Sequence, residues 1–467
     1  MQVQSILTTN KMAQKPSIPK GTRDFGPTQM VGRNFIFNTI RTVFQKFGFE
    51  PLETPSIENL SVLTGKYGDE GDNLIFKILN SGDFLSKTNS GDYDRGYKEM
   101  LPRISKKGLR YDLTVPFARY VVMNQTQLTF PFKRYQIQPV WRADRPQRGR
   151  YQEFYQCDAD VVGTDSLICE AEIVGMMTEV LDKLSIRGYT IKLNNRKILA
   201  GIAEVIGENG KEGELCVAID KLDKIGKVKV EEELTERGFS NQAISELQPI
   251  FEIEGSAKHK LAQLRDWLIS SPTGTKGVDE LEEMFQIMET AGIKSDKVDL
   301  DITLARGLSY YTGAIFEVKV ADSAIGSISG GGRYDDLTGV FGLKNVSGVG
   351  FSFGVDRIYD VMEEQNLFEE NKQYTTKLLF TNFDEESQNY CLPLLKKLRE
   401  AGVNAEIYPH KNKLAKQMAY ANNKNIPYVI LAGSDEISNQ KLNLKDMISG
   451  EQKLLSFEEV LEIVSEP

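Results

Sequence analysis

The stretch from Tyr135 to Val162, YQIQPVWRADRPQRGRYQEFYQCDADVV, constrains the fold of this chain more than any other. A short apolar-polar run leads into a turn crowded with Arg, Pro and Gly, and the chain re-emerges in strict alternation. That pattern predicts an antiparallel hairpin. Residues two or four apart on a strand share a face, so Phe154, Gln156 and Asp160 point one way. An aromatic ring, an amide and an acid therefore line one surface, and Arg142 at the end of the first strand can add a cation to it. Such a surface can hold a polyanion, a flat ring and a hydrogen-bonding or cationic group together, which suits a nucleotide plus an amino acid. Arg-rich hairpin loops also occur on plain solvated surfaces, and alternation alone establishes only a half-buried strand.

A chain of 467 residues is too long for one core and should divide into about two to four domains. Its 40% hydrophobic content suits a globular protein, and no apolar run approaches the ~20 residues needed to span a bilayer. No signal peptide is evident near the start, so a cytoplasmic protein without membrane contact is expected. The first twenty residues carry three lysines, no acid and no arginine. They read as part of a disordered tail over residues 1–18, with Met12 as an alternative start. Cys157, Cys169, Cys216 and Cys391 show no C-x-x-C spacing, which argues against a structural zinc or a disulfide framework. With two histidines, His259 and His410, neither a Ser-His triad nor a His metal cluster fits. The net charge of -9 makes blanket affinity for nucleic acid improbable, so any RNA contact must be local.

Along the chain, PKGTRDFG reads as a turn, and residues 30–47 show apolar positions at helical spacing. Pro51 and Pro55 confine the next strand to an edge or a bulge. Ser86 to Lys107 is polar and basic and reads as an exposed, partly mobile insertion, after which LRYDLTVPFARY alternates as a strand and places Asp112 and Thr114 on one face. Residues 166–183 predict an amphipathic helix and YTIKLNN a strand. Between 196 and 297 the composition shifts to charged helical segments, with turns expected at GENGKEG and SSPTGTKG. Strands return through LARGLSYYTGAIFEVKV, SISGGGRYDDL and VSGVGFSFG, the last followed by a helix that carries Arg357. The triple glycine lacks the GK[ST] ending of a phosphate loop and reads as close backbone approach within a sheet. Beyond a charged linker, segments from residue 377 alternate β with α, predicting a small α/β domain of mainly parallel sheet.

WRADRPQRGRYQEFYQCD resembles motif 2 of class II aminoacyl-tRNA synthetases, in the form seen in histidyl-tRNA synthetases. LARGLSYYTG and GGGRYDDL resemble that family's characteristic words, and the resemblance runs from Lys20 onward. It implies an α+β fold: an antiparallel-sheet catalytic domain (residues 19–195 and 298–363) with a helical insertion (196–297), a linker (364–376), and a C-terminal α/β anticodon-binding domain (377–467). It places Pro55 in motif 1, at a homodimer interface, and Arg357 in motif 3. The implied reaction joins L-histidine to ATP as histidyl-adenylate and then to tRNA(His), with Mg²⁺ accompanying the phosphates. By the same resemblance Arg142, Arg150 and Arg357 bind ATP with Phe154 stacking on adenine, and Arg306 bridges the histidine carboxylate to the α-phosphate, making Arg142 and Arg306 the catalytic pair. Asp112, Thr114 and Gln156 hold the ammonium group, while Asp160 and Tyr311, with Tyr310 beside it, take the imidazole. Some bacterial members carry Glu at the positions of Asp112 and Asp160, so ligand distances should differ here. The competing reading is a catalytically silent paralogue that regulates ATP phosphoribosyltransferase; such paralogues usually lack the terminal domain and degrade LARGLSYYTG.

Overall fold

The computed structural model describes residues 15–219, 221–305, 310–370 and 376–465. The expectations for most of the tail, for Arg306 and for the centre of the linker fall outside the described residues. The chain divides into two compact units. One comprises Phe35–Leu367 with residues 15–24, and the other Phe368–Pro467 together with Phe25–Asn34.

The first unit is built on an eight-stranded sheet in the order Glu50–Pro51, Phe132–Trp141, Glu153–Val162, Gly348–Gly354, Ser329–Tyr334, Ala314–Val320, Tyr189–Asn195, Val298–Leu300. Its inner pairings are antiparallel, and the two outermost strands pair parallel. Pro51 lies on the edge strand, where its missing N–H costs the ladder nothing. The predicted hairpin forms, with Arg134 opposite Asp160, Gln136 opposite Asp158 and Val140 opposite Phe154.

Strict alternation gives this sheet two unlike faces. On one, Tyr135, Cys157, Ala159, Phe351 and Phe353 are buried. Phe44 of the helix Pro27–Lys46 packs there, edge-on to Phe351 at 5.7 Å and stacked on Phe353 at 6.4 Å. The helix Ile168–Lys183 covers the same side and buries Glu170 against Arg333, with Nη2 donating to Oε2 at 2.7 Å. The other face carries Arg134, Gln136, Asp158, Asp160 and Tyr334, all buried and all polar or half-polar. Burying polar groups is costly unless they are paired or reserved for a ligand, so this face must be either a network or a binding site. Gly331 sits in the tightest part of the sheet, where an added Cβ would lie 2.6 Å from the Phe351 Cα, as expected of close backbone approach.

Three local expectations change. LRYDLTVPFARY is not one strand: the strand Ser105–Leu109 ends early and Thr114–Asn124 is a helix, because Asp112 Oδ1 accepts the Val115 N–H and so starts a helix instead of continuing the pleat. Ser86 to Lys107 folds into two short helices, Ser90–Asp94 and Tyr97–Ile104, the first closed by an Asn89–Asp92 capping box. The segment is largely exposed, as expected, and carries these short helices rather than plain loop. Residues 196–290 form a run of helices around their own apolar core, as composition suggested. However, SSPTGTKG is not a turn; Ser271 caps the long helix Pro272–Thr290 by accepting the Gly274 N–H at 2.9 Å.

In the second unit a five-stranded sheet runs Ala405–Ile407, Leu378–Phe380, Tyr428–Leu431, Leu442–Asp446, Gln452–Leu455. Two of its pairings are parallel and two antiparallel, so it is mixed, not mainly parallel: the closing hairpin reverses the chain direction. No described helix is long and apolar enough to cross a membrane.

Candidate active site

The polar face of the large sheet floors a cavity of about 550 Å³. Asp112, Thr114, Arg142, Arg150, Phe154, Gln156, Asp160, Tyr310, Tyr311 and Arg357 all line it. The cavity therefore gathers ten of the eleven residues to which the resemblance gives a role in binding histidine or ATP, the eleventh being Arg306.

At one end lie cations. The guanidinium of Arg142 sits 4.2 Å from the Tyr111 ring centroid and 5.3 Å from that of Phe154, with Nε donating to the Tyr111 carbonyl at 3.1 Å. Arg357 is fixed from below: Nε donates to the Gly149 carbonyl at 2.7 Å and Nη1 to the Ser327 carbonyl at 2.5 Å. Burial lowers the Arg357 pKa, and Arg142 and Arg150 push it the same way. Three like charges held near each other, with Asp144 and Glu317 offsetting them only in part, are poised for a polyanion. Arg150 is the most solvated of the three, half exposed and 3.7 Å from Asp144.

At the other end lie acids. Asp112 is 2% exposed; its Oδ1 is occupied by the Tyr67 hydroxyl at 2.9 Å and by Val115 N–H, while its Oδ2 has no partner. Asp160, equally buried, accepts the Tyr334 hydroxyl at 2.7 Å and pairs with Arg134 Nη2 at 2.8 Å. Asp158 is also buried on this face, 3.9 Å from Arg134 Nη2. Burial raises the pKa of all three. For Asp158 and Asp160 the Arg134 cation opposes that rise, and for Asp112 the Val115 amide does. Gln156 Nε2 donates to Ser352 Oγ at 2.9 Å and leaves its Oε1 unpartnered. This end is thus a set of acceptors with too few donors, the complement of an ammonium group.

Tyr310 and Tyr311 are not on a strand. They lie in an irregular segment, ring centroids 5.0 Å apart and nearly perpendicular, and both line the cavity, which adjacent residues of a pleated strand could not do. The GGGRYDD segment buttresses them: Thr312 Oγ1 donates to Asp335 at 2.6 Å, and the Thr312 N–H to the Arg333 carbonyl at 2.8 Å. A Cβ on Gly332 would strike the Tyr311 ring at 2.9 Å.

Sequence reasoning missed Tyr67, Arg134, Asp158, Ser352 and Tyr334. Asp158 carried a signal, since it falls between Gln156 and Asp160 in the same alternation. Arg134 was recoverable from hairpin register, opposite Asp160. Tyr67, 45 residues from the acid it contacts, had none. Among the described residues no group of three His, Cys, Asp or Glu side chains is arranged to hold a metal ion.

Comparison with known proteins agrees with this geometry. The family model described as histidyl-tRNA synthetase matches residues 95–358, and one described as anticodon binding domain matches residues 373–467. A histidine–tRNA ligase of Cytophaga hutchinsonii is 59% identical over 96% of this chain and 99% of its own. One of Phocaeicola vulgatus is 57% identical over 97% of this chain and all of its own. The crystal structure of histidyl-tRNA synthetase from Nostoc sp. PCC 7120 superposes with a TM-score of 0.82 at 30% identity, covering 96% of this chain and 98% of that one. A chain matched by this family model and similar to its members over nearly its full length, with a cavity of the chemistry described, belongs to the histidyl-tRNA synthetase family.

Proposed function

We propose that this chain is an aminoacyl-tRNA ligase that activates L-histidine with ATP and transfers it to the 3′ end of tRNA(His). The observation that carries the reading is one cavity with clustered, anion-seeking arginines at one end and orphaned buried acceptors, Asp112 Oδ2 and Gln156 Oε1, at the other. An amino acid beside a nucleotide triphosphate satisfies both ends at once. Asp112, Thr114 and Gln156 take the ammonium group, and Asp160 and Tyr311 the imidazole, with Tyr310 alongside. Phe154 offers a flat face to adenine, while Arg142, Arg150 and Arg357 face the phosphates.

In the first step a histidine carboxylate oxygen attacks the α-phosphorus, the bond to the β-phosphate bridging oxygen breaks, and pyrophosphate leaves. In the second a terminal ribose hydroxyl attacks the acyl carbon and AMP leaves, its phosphate oxygen taking the hydroxyl proton. Positioning and charge stabilisation carry both steps, for which a planar, permanently charged guanidinium is suited. Arg142 and Arg306 are assigned to the α-phosphate. Neither histidine side chain lines the cavity, so no imidazole base is assigned. Mg²⁺ enters as part of the ATP substrate, held by phosphate and water; Glu317, a 6% exposed carboxylate facing the cavity, fits a water-mediated contact to such an ion.

The proposed organisation is a catalytic domain of residues 19–195 and 298–363, an insertion of 196–297 and a linker of 364–376 before the terminal domain. The protein is proposed to act in the cytoplasm as a homodimer through the segment around Pro55. Histidine-dependent ATP-pyrophosphate exchange by the purified chain, without tRNA, tests the core of the reading. Exchange that appears with histidine and not with other amino acids supports it; its absence favours the silent regulator of ATP phosphoribosyltransferase. The retained cation set and the folded terminal domain argue against that second reading.

A further inference from the structure

Three buried carboxylates crowd the acid end of the cavity, yet the roles assigned above use two. Asp158 stands between Gln156 and Asp160 on the same face of Glu153–Val162, lines the cavity, is 2% exposed, and keeps Oδ1 without a hydrogen-bond partner. Arg134 divides itself unequally between the two acids of this strand, 2.8 Å from Asp160 and 3.9 Å from Asp158. Asp160 also has the Tyr334 hydroxyl. Asp158 therefore has the more distant cation of the pair, with a Ser352 side-chain hydrogen bond where Asp160 has the Tyr334 hydroxyl, and each acid keeps one buried oxygen without a hydrogen-bond partner, Asp158 Oδ1 and Asp160 Oδ2.

An imidazole sets a matching problem. The neutral ring has one N–H donor and one bare nitrogen acceptor. Two ionised acids around it offer acceptors only, leaving a buried carboxylate and a ring nitrogen opposed with no proton between them. That arrangement is costly in a desolvated site. A single proton removes the conflict, whether it resides on the carboxyl or on the ring.

We propose that Asp158 is a specificity-determining residue of the amino-acid pocket, which shares one proton with the second ring nitrogen of histidine while Asp160 accepts the first ring N–H. The proposal rests on the assignment of Asp112 and Asp160 to the amino-acid subsite. The charged and titratable groups around Asp158 are Arg134 on the neighbouring strand, Asp160 on its own, Asp112 at the start of the adjoining helix, Arg110 and Tyr311; Gln136 and Ser352 face it in register and are neutral. Burial, with Asp160 and Asp112, favours a protonated Asp158, and Arg134 and the Ser352 hydrogen bond oppose it. A neutral apolar ring of similar size cannot use that proton, so it leaves Asp158 unpaired and is rejected.

The sign of the pH effect follows. The complex holds one proton in the carboxyl-ring pair, which free enzyme and free histidine together lose as pH rises through their own pKa values, the ring's near 6.5. Binding then takes up a proton, and the histidine KM rises with pH. The exchange assay run from about pH 6 to about pH 8.5 on the full chain, with Asp158→Asn, Asp158→Ala and Asp160→Ala, tests this. Asparagine keeps a permanent N–H donor of the same shape and does not titrate. Its histidine KM should stay within about threefold of wild type at pH 7 while its dependence on pH flattens. Alanine should raise that KM about tenfold or more, with the ATP KM unchanged in both variants. An unchanged histidine KM in Asp158→Ala, or a pH profile in Asp158→Asn that parallels wild type, overturns the proposal. If Asp160→Ala also leaves the histidine KM unchanged, the pocket assignment itself has failed, which separates the two ideas.

Discussion

Arg357 shows how a single side chain can be held in readiness. Two carbonyls, from Gly149 and Ser327, grip its guanidinium at fixed angles, and a lysine ammonium on a flexible stem cannot satisfy both from one point. Arg357→Lys is therefore expected to keep the fold but raise the ATP KM about tenfold, leaving the histidine KM near its wild-type value. Steady-state exchange with each substrate varied in turn checks this; a raised histidine KM with normal ATP KM would place Arg357 at the wrong end of the cavity. Residues like this were legible because an ordered word named them. Alternation put Asp158, and hairpin register put Arg134, on the right face, but what each does there depends on which cation lies nearer and which oxygen is left open. Those distances exist only once the chain has folded.

At the scale of elements, glycine decides what a helix can touch. Alternation fixed the hairpin and the two-faced sheet, since a period of two admits no other surface. Glycine was more ambiguous: in SSPTGTKG it suggested a turn, whereas Gly274 and Gly277 lie on the helix Pro272–Thr290 where it meets Arg196–Val205. An added Cβ on Gly277 would lie 2.8 Å from the Ile198 nitrogen and 3.0 Å from the Lys197 Cβ. The helix-propensity gain of Gly→Ala, up to ~1 kcal/mol, competes with an overpacking cost of about 1–3 kcal/mol. The nearest obstacle is backbone and cannot rotate away, so the cost wins. Gly277→Ala should lower the unfolding midpoint in urea. By contrast Gly213, in the helix Glu212–Ile219, has nothing within 4 Å of an added Cβ, and Gly213→Ala should be stabilising by about 0.5 kcal/mol. The same sign for both would mean that packing against Arg196–Val205 does not govern Gly277. The failed strand at Asp112 has a similar lesson: alternation in LRYDLTVPF was real, but one acid accepting an amide three residues on turned the chain into a helix.

The whole molecule separates the chemistry from a second body. Every cavity residue named here lies in the first unit, whereas the terminal sheet has its own core, Leu378, Phe380, Leu395, Leu398, Ile430, Leu442 and Val460 among it. That boundary was legible as a charged linker followed by a change to β-α alternation. The inclusion of Phe25–Asn34 in the second unit was not, because nothing in ten residues of a helix's beginning tells which body they join. The charge balance matters at this scale too: with a net charge of -9, RNA must be gripped locally. The helix Leu414–Asn423 offers such a place, with Lys413 and Lys416 exposed beside it and Lys424 tied to Glu406 at 2.6 Å and set 5.0 Å over the Tyr420 ring. Bases of a single-stranded loop are read by aromatic faces and polar edges with cations near their phosphates, which this surface supplies. A chain ended within residues 371–375 should therefore still fold and still support histidine-dependent exchange. Its melting temperature should fall, because Phe25–Asn34 loses the rest of its unit. It should lose most tRNA charging. Filter binding with tRNA(His) and an anticodon-substituted version separates the possibilities: the full chain should discriminate between the two RNAs and the shortened chain should not. Discrimination that survives the truncation would move anticodon reading out of the terminal domain, and exchange that disappears with it would show that the cavity depends on a body its own residues never enter.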